Sequence, residues 1–297
     1  YSRVYGLLVA QAVDPIEKKP LFHFLPGSRS YSIATVGCNF RCTFCQNADI
    51  SQRPRETGAV AGRYAPPEAV VEAAQRSGCR SIAYTYTEPT IYFEYTLDVA
   101  RLAQAASLAN VYVSNGYMTA EMLDLMIPGD APPLLDAANV DLKAFSDVLY
   151  REQCGARLQP VLDSLKALKA RGVWLEVTTL IIPGLNDSEN ELRDIARFIG
   201  RELGADTPWH VSRFHPTYRL TDRPPTPAAT VLHAREIGRQ EGLRYVYAGN
   251  LPGQGEDTHC PACGRVVIRR VGFTVTGHDL RDGACAHCGA RLDGVGL

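Results

Sequence analysis

Hydrophobic residues along this chain switch repeatedly between two spacings. Short β-branched or wholly apolar runs of strand length stand at Ser32–Val36, Ser81–Thr87, Val111–Ser114, Asn139–Lys143, Trp174–Ile182 and Trp209–Phe214, with a weaker one at Tyr245–Tyr247. Between them apolar residues recur three or four apart. Ala69–Ser77 follows Pro66-Pro67; Val161–Lys169 carries Val161, Leu162, Leu165 and Leu168 on one face; Glu189–Leu203 stripes Leu192, Ile195, Phe198 and Ile199. Met118, Met122 and Met126 fall four apart and read as the buried stripe of another helix, not as sulfur ligands. Such alternation predicts βα units and an α/β fold with a parallel sheet. Right-handed crossovers would curl six or so units into a full or partial (β/α)6-type barrel, with its active site at the carboxyl ends of the strands.

The unusual polar residues sit at those ends. Cys38 follows the first strand, Glu88 the second, Asn115 the third and His215 the sixth, while Asp141 and Lys143 lie on the fourth. Residues two apart on a strand share a face, so Asp141 and Lys143 point together and Leu142 opposes them. Two opposite charges on a barrel strand cost desolvation unless they serve a site. On the next strand Glu176 and Thr178 share the inward parity.

Two groups of cysteines stand out. Gly37-Cys38-Asn39-Phe40-Arg41-Cys42-Thr43-Phe44-Cys45 spaces three thiols as C-x3-C-x2-C. Three thiolates on one loop suit an iron–sulfur cluster, which ordinarily takes four, so one iron stays open to a non-protein ligand. Near the other end, Cys260-Pro261-Ala262-Cys263 and Cys285-Ala286-His287-Cys288 form two C-x2-C knuckles. That pattern predicts a small ribbon holding zinc through four thiolates, with a rubredoxin-like iron or an electron-relay cluster as the competing occupant. Val266–Ile268 and Gly272–Thr276 would supply its strands, and Gly253-Gln254-Gly255 a linker. The expected division is a lead-in over 1–30, a barrel over 31–252 and the ribbon over 256–297. Cys79 and Cys154 remain, read as buried apolar thiols, although Glu152-Gln153-Cys154-Gly155 is polar enough to border a site.

Composition narrows the class. The 297 residues carry 31 basic and 32 acidic side chains, a net charge of −1, so no polyanion-binding field is expected. Arg265, Arg269, Arg270 and Arg281 are too few to make the ribbon a nucleic-acid face. No apolar run is long enough to span a membrane, and Gly6 to Val13 is too short for a signal-peptide core. The sequence opens on Tyr1 without a methionine, so the natural start is expected upstream. Seven of nine cysteines in two tight motifs indicate metal binding in a reducing, cytoplasmic compartment.

The cysteine loop, with Phe44 directly before its third cysteine, resembles that of the radical S-adenosylmethionine (radical SAM) superfamily. Tyr5-Gly6, Asp14-Pro15-Ile16-Glu17-Lys18-Lys19-Pro20-Leu21, Ile82 to Thr90, Val177–Asp187 and Trp209–Pro216 resemble the AmmeMemoRadiSam proteins of that superfamily, relatives of pyruvate formate-lyase activating enzymes. The resemblance implies a [4Fe–4S] cluster on Cys38, Cys42 and Cys45, with S-adenosylmethionine chelating the open iron. It implies reductive cleavage to a 5′-deoxyadenosyl radical that takes hydrogen from a substrate. It places Glu88 at the methionyl ammonium, although Tyr86-Thr87-Glu88 lacks the usual pair of glycines. Phe44, Asn115, Asp141, Lys143, Thr178, Ile182 (in the adenine-packing segment Ile182 to Asp187) and His215 join it as cofactor contacts. Implied partners are an electron donor such as a ferredoxin or flavodoxin, and AMME-domain and Memo-type proteins. A glycyl-radical activase and a non-catalytic iron–sulfur or zinc module are the alternatives.

Overall fold

The computed structural model describes residues 2–129 and 131–297. Seven parallel strands follow one another in chain order across a single sheet: β2 (Arg29–Thr35), β3 (Ser81–Tyr84), β4 (Ala109–Ser114), β5 (Ala137–Asp141), β6 (Trp174–Ile181), β7 (Trp209–Arg213) and β8 (Val246–Gly249). The weak candidate at Tyr245–Tyr247 is thus a full member of the sheet. Before them runs β1 (Leu7–Pro15), antiparallel to β2 and edged by Arg63–Tyr64. The strands read as near-continuous apolar runs because both faces are covered. Ile33, Ile82, Tyr84, Tyr112, Val140, Val177 and Val211 are all fully buried.

The connecting helices are α1 (Pro67–Arg76), α2 (Phe93–Ala105), α3 (Ala120–Met126), α4 (Leu158–Ala170), α5 (Glu189–Phe198) and α6 (Ala228–Gln240). Ser188 caps α5 by accepting the amide of Glu191, with Glu189 and Glu191 at the positive end of the helix. The stretch to Leu203 continues α5 as a π-helical turn, Ile199–Leu203. Met122 and Met126 lie on α3, but Met118 precedes its N-cap, Thr119, and is buried from the loop.

Two strands stop earlier than their composition suggests. β3 ends at Tyr84 because Tyr86 takes a left-handed backbone, φ +64°. β5 ends at Asp141, which leaves Lys143 in the following loop. Strand parity therefore does not place Lys143.

The carboxyl-terminal unit is built on a hairpin of β9 (Val266–Val271) and β10 (Thr274–His278), turning at Gly272-Phe273. It is fastened to the sheet through the segment after β1. Arg270, nearly fully buried, donates to the carbonyl of Phe22 at 2.7 Å and to the Thr258 hydroxyl at 2.7 Å, with its guanidinium 4.3 Å over the Phe22 ring. His23 is held between the Asp293 carbonyl and the Tyr247 hydroxyl, each 2.6 Å from a ring nitrogen. Among the described residues no helix is long and apolar enough to cross a membrane.

Candidate active site

One cavity of about 530 Å³ takes side chains from the ends of all seven parallel strands, so the sheet curls around it. Its size is that of a small-molecule or cofactor site. Asn139 and Asp141 on β5, Thr178 and Leu180 on β6, and His210 and Ser212 on β7 alternate into it.

Cys38, Cys42 and Cys45 all line this cavity. Their loop leaves β2 through Gly37 at φ +105°, where a side chain would meet the Ile91 Cδ1 at 2.9 Å. A π-helical turn at Tyr150–Cys154 braces it from below. The amide of Arg41 donates to the Cys154 carbonyl at 2.9 Å, that of Thr43 to the Gln153 carbonyl at 2.8 Å, and the Thr43 hydroxyl to Gln153 Oε1 at 2.6 Å. The Cys154 thiol lies against that of Cys42 and shifts its titration. It is fully buried, as the sequence suggested, and borders the site as well.

The donor set fits a cluster. Phe40 N–H donates to Cys38 Sγ at 3.4 Å, Asn115 Nδ2 approaches the same sulfur at 3.7 Å, and Ser51 lies 3.1 Å from Cys45 Sγ, contacts that favour thiolate ligands. Burial, followed by the nearby Glu88 charge, pushes the Cys38 thiol up to about 12, and burial raises Cys45. The contact with Cys154, then burial, raises Cys42. Positive charge from a metal is what would turn such thiols into thiolates. The three sulfurs are not drawn together as ligands of one ion are. Among the described residues only the ribbon cysteines form a metal-ligating group with every donor atom within 4.8 Å of the others.

Those four, Cys260, Cys263, Cys285 and Cys288, form a compact tetrad with Cys260–Cys288 at 3.6 Å and Cys263–Cys285 at 3.8 Å. Sulfurs about 2.3 Å from one tetrahedral metal stand about 3.8 Å apart. The tetrad can therefore hold a single metal ion.

Beside the cysteine loop, Glu88 is buried and held by three donors. It accepts the Ser114 hydroxyl at 2.8 Å, the Asn115 amide at 2.8 Å and the Thr90 amide at 3.2 Å, while burial raises its pKa. The Asn115 side chain donates to Asn39 Oδ1 at 2.7 Å. Lys143 Nζ meets Asp141 at 2.8 Å and lies 5.9 Å from the centroid of Phe44. Burial opposes the Lys143 charge, but Asp141 and the cysteines outweigh it and its pKa rises. Thr178 lines the wall and donates to Asn139 at 2.9 Å.

Two expected contacts lie elsewhere. His215 is exposed in the loop after β7 and does not line the cavity. Ile182 is buried in the core. Its loop acts on the site through Asn186, which donates to the carbonyls of Lys143 and Leu180 at 2.7 and 2.8 Å. The cavity's histidine is His210, whose Nε2 lies 2.7 Å from Glu176. Alternation along Trp209–Phe214 was the signal for it, since His210 and Ser212 share the inward face and His215 does not. Lys18, Lys19 and Tyr86 also line the cavity, and Asp14 stands behind them. These went unremarked as site residues.

The radical SAM superfamily model matches residues 32–199, more than half of the chain and the whole cysteine loop. The chain belongs to that superfamily. It is a radical SAM enzyme, and the family implies a [4Fe–4S] cluster and S-adenosylmethionine. An uncharacterized protein of Methanocaldococcus jannaschii, MJ0808, is 46% identical over 99% of this chain and 86% of its own length. The isethionate sulfite-lyase activating enzyme of Nitratidesulfovibrio vulgaris is 28% identical over 52% of this chain and 50% of that enzyme. Among solved structures, a radical SAM methyltransferase from Sphaerobacter thermophilus superposes with TM-score 0.58 at 18% identity, covering 82% of this chain and 71% of that one, and shares the fold.

Proposed function

We propose that Cys38, Cys42 and Cys45 bind a [4Fe–4S] cluster, and that this chain cleaves S-adenosylmethionine reductively to take hydrogen from a substrate. The observation that carries the reading is the convergence of three spread thiols with Glu88, Asn115, Asp141 and Lys143 on one cavity. When bound, the cluster supplies the electron that splits the cofactor into methionine and a 5′-deoxyadenosyl radical. Glu88, already fixed by three donors, presents its carboxylate to the methionyl ammonium. Asp141 and Lys143 hold the cofactor's polar groups, and the apolar rings of Phe40 and Phe44 exclude water beside the cysteines. A ferredoxin or flavodoxin is the proposed electron donor. Zinc is the proposed ribbon metal, since thiolate tetrads with this spacing suit it.

The AmmeMemoRadiSam assignment, with AMME-domain and Memo-type partners, rests on the sequence motifs. A second reading, activation of a glycyl-radical enzyme, is favoured by Asp141-Leu142-Lys143 and by the activating-enzyme relative. Anaerobic reconstitution with iron and sulfide, then S-adenosylmethionine and dithionite, tests the main reading. We expect 5′-deoxyadenosine by mass spectrometry from the native chain and none from Cys38→Ala. A cluster-loaded native chain that yields no product overturns it. A radical signal on an added glycyl-radical partner decides for the second reading.

A further inference from the structure

The chain uses 26 arginines and only five lysines, yet three of those five, Lys18, Lys19 and Lys143, line the cavity at the strand ends. Arginine does not lose its proton in proteins, whereas a buried lysine does so readily. Lys143 is accounted for by its pair with Asp141 beside the cysteine loop. Lys166 and Lys169 sit on α4 and pair with Asp163 and Asp206. Lys19 is different. Its side chain is 1% exposed, its Nζ lies 2.7 Å from Asp14 Oδ2, and the ring of Tyr86 covers it at 4.4 Å.

The surroundings hold Lys19 in place beside Asp14, whose carboxyl Lys19, Tyr86 and Lys18 together keep well below the usual carboxylate range. Asp14 is shared among four donors, namely Lys18 at 2.9 Å, Lys19, the Ser32 hydroxyl at 2.8 Å and the Tyr86 hydroxyl. Glu17, which also lines the cavity, is turned to the Gly27 amide and Arg270. Tyr86 reaches Asp14 and Lys19 from a left-handed backbone, a conformation that costs energy for an aromatic residue. Burial, and behind it the Lys18 charge, pulls the Lys19 ammonium down to about 8 despite Asp14. A desolvated lysine next to a second cation is how proteins make an amine nucleophile.

We infer that Lys19 captures a 2-oxo acid as an imine, with the half-exposed Lys18 ammonium beside it to receive the acid's carboxylate. The neutral amine adds to the carbonyl carbon, and the resulting carbinolamine expels its hydroxyl as water. A C=N bond replaces C=O with no change of oxidation state. The proton shed by the ammonium beforehand leaves through the open cavity to solvent. A substrate fixed in this way shares the cavity with the cluster cysteines.

The test is trapping on the purified full chain with glyoxylate and cyanoborohydride, followed by peptide mapping. It needs neither cluster nor S-adenosylmethionine, so its failure is separate from failure of the radical chemistry. We expect one adduct, on Lys19, with a labelling rate that reaches half its maximum near pH 8. Propanal, which lacks the carboxylate, should label less. Lys19→Arg should remove the label while the circular dichroism spectrum stays native. Should that variant misfold, the native map still decides, because the five lysines are read separately. No adduct, label on Lys18 instead, label spread equally over Lys166 and Lys169, or equal labelling by propanal overturns the assignment.

Discussion

The carboxylate of Glu88 accepts the backbone amide of Asn115 at 2.8 Å, which ties the loop after β3 to the end of β4. Ser114, on that strand, adds its hydroxyl at 2.8 Å. One buried acid thereby sets the geometry of two strand ends next to Cys38. Glu88→Gln would turn an amide N–H₂ toward one of these donors. We expect unchanged iron content after reconstitution and a loss of stability of about 1–3 kcal/mol, the cost of a buried unsatisfied group. S-adenosylmethionine binding should weaken roughly tenfold or more. Chemical denaturation and equilibrium dialysis read the two effects separately, and native affinity in the variant would remove Glu88 from the cofactor site.

Much of this site was legible because it is local. The three cluster cysteines lie within eight residues, and the ribbon knuckles carry their own spacing. The alternation of periods marked the parallel sheet because fully buried strands are nearly continuous apolar runs. The rest depends on contacts distant in sequence. Lys19 becomes a cavity residue only because β1 pairs antiparallel with β2 and Tyr86 leaves the sheet with a positive φ. His215 drew attention through its neighbours Phe214 and Pro216, yet it lies in the exposed loop beyond β7, and His210 holds the inward position on the strand. Arg270 reads as a solvated ribbon arginine until the fold brings Phe22 beneath it.

Cys154 lies close enough to Cys42 to raise its thiol, so Cys154 needs a test as a fourth ligand. The open-iron reading requires that it is not one. Cys154→Ala should keep the iron and sulfide content of the native chain after reconstitution, whereas Cys42→Ala should lose it. The change to alanine removes only a small buried group, so a loss of stability on the order of 1 kcal/mol is expected. Loss of iron in Cys154→Ala, measured by colorimetric assay beside the absorption spectrum, would instead make the site a four-cysteine one.

Acid should loosen the junction between ribbon and sheet. His23 is fully buried, and burial lowers its pKa from 6.5 to about 4. In that interval the unfolded chain binds the proton that the folded chain refuses. The stability is therefore present above pH 6.5 and is lost as pH falls toward 4. The full effect is on the order of 3 kcal/mol. His23→Gln, whose amide does not titrate, should flatten this part of the curve of unfolding free energy against pH. An unchanged slope in the variant would assign the acid lability to other groups.

The ribbon tetrad and the barrel cysteines should also separate by metal. The tetrad's short sulfur spacing is that of one ion, while the barrel thiols are spread. Replacing Cys38, Cys42 and Cys45 together with alanine should therefore abolish iron and leave close to one equivalent of zinc per chain. Cys263→Ser should do the reverse, keeping iron and losing zinc. Because Arg270 anchors the ribbon on Phe22, loss of that metal should reach the barrel as well, lowering the melting temperature of the whole chain and loosening a cavity wall that Phe22 and Phe273 line. Elemental analysis beside thermal melts checks both halves. Zinc that disappears with the barrel cysteines, or a melting temperature indifferent to Cys263→Ser, would uncouple the two sites from the roles given them.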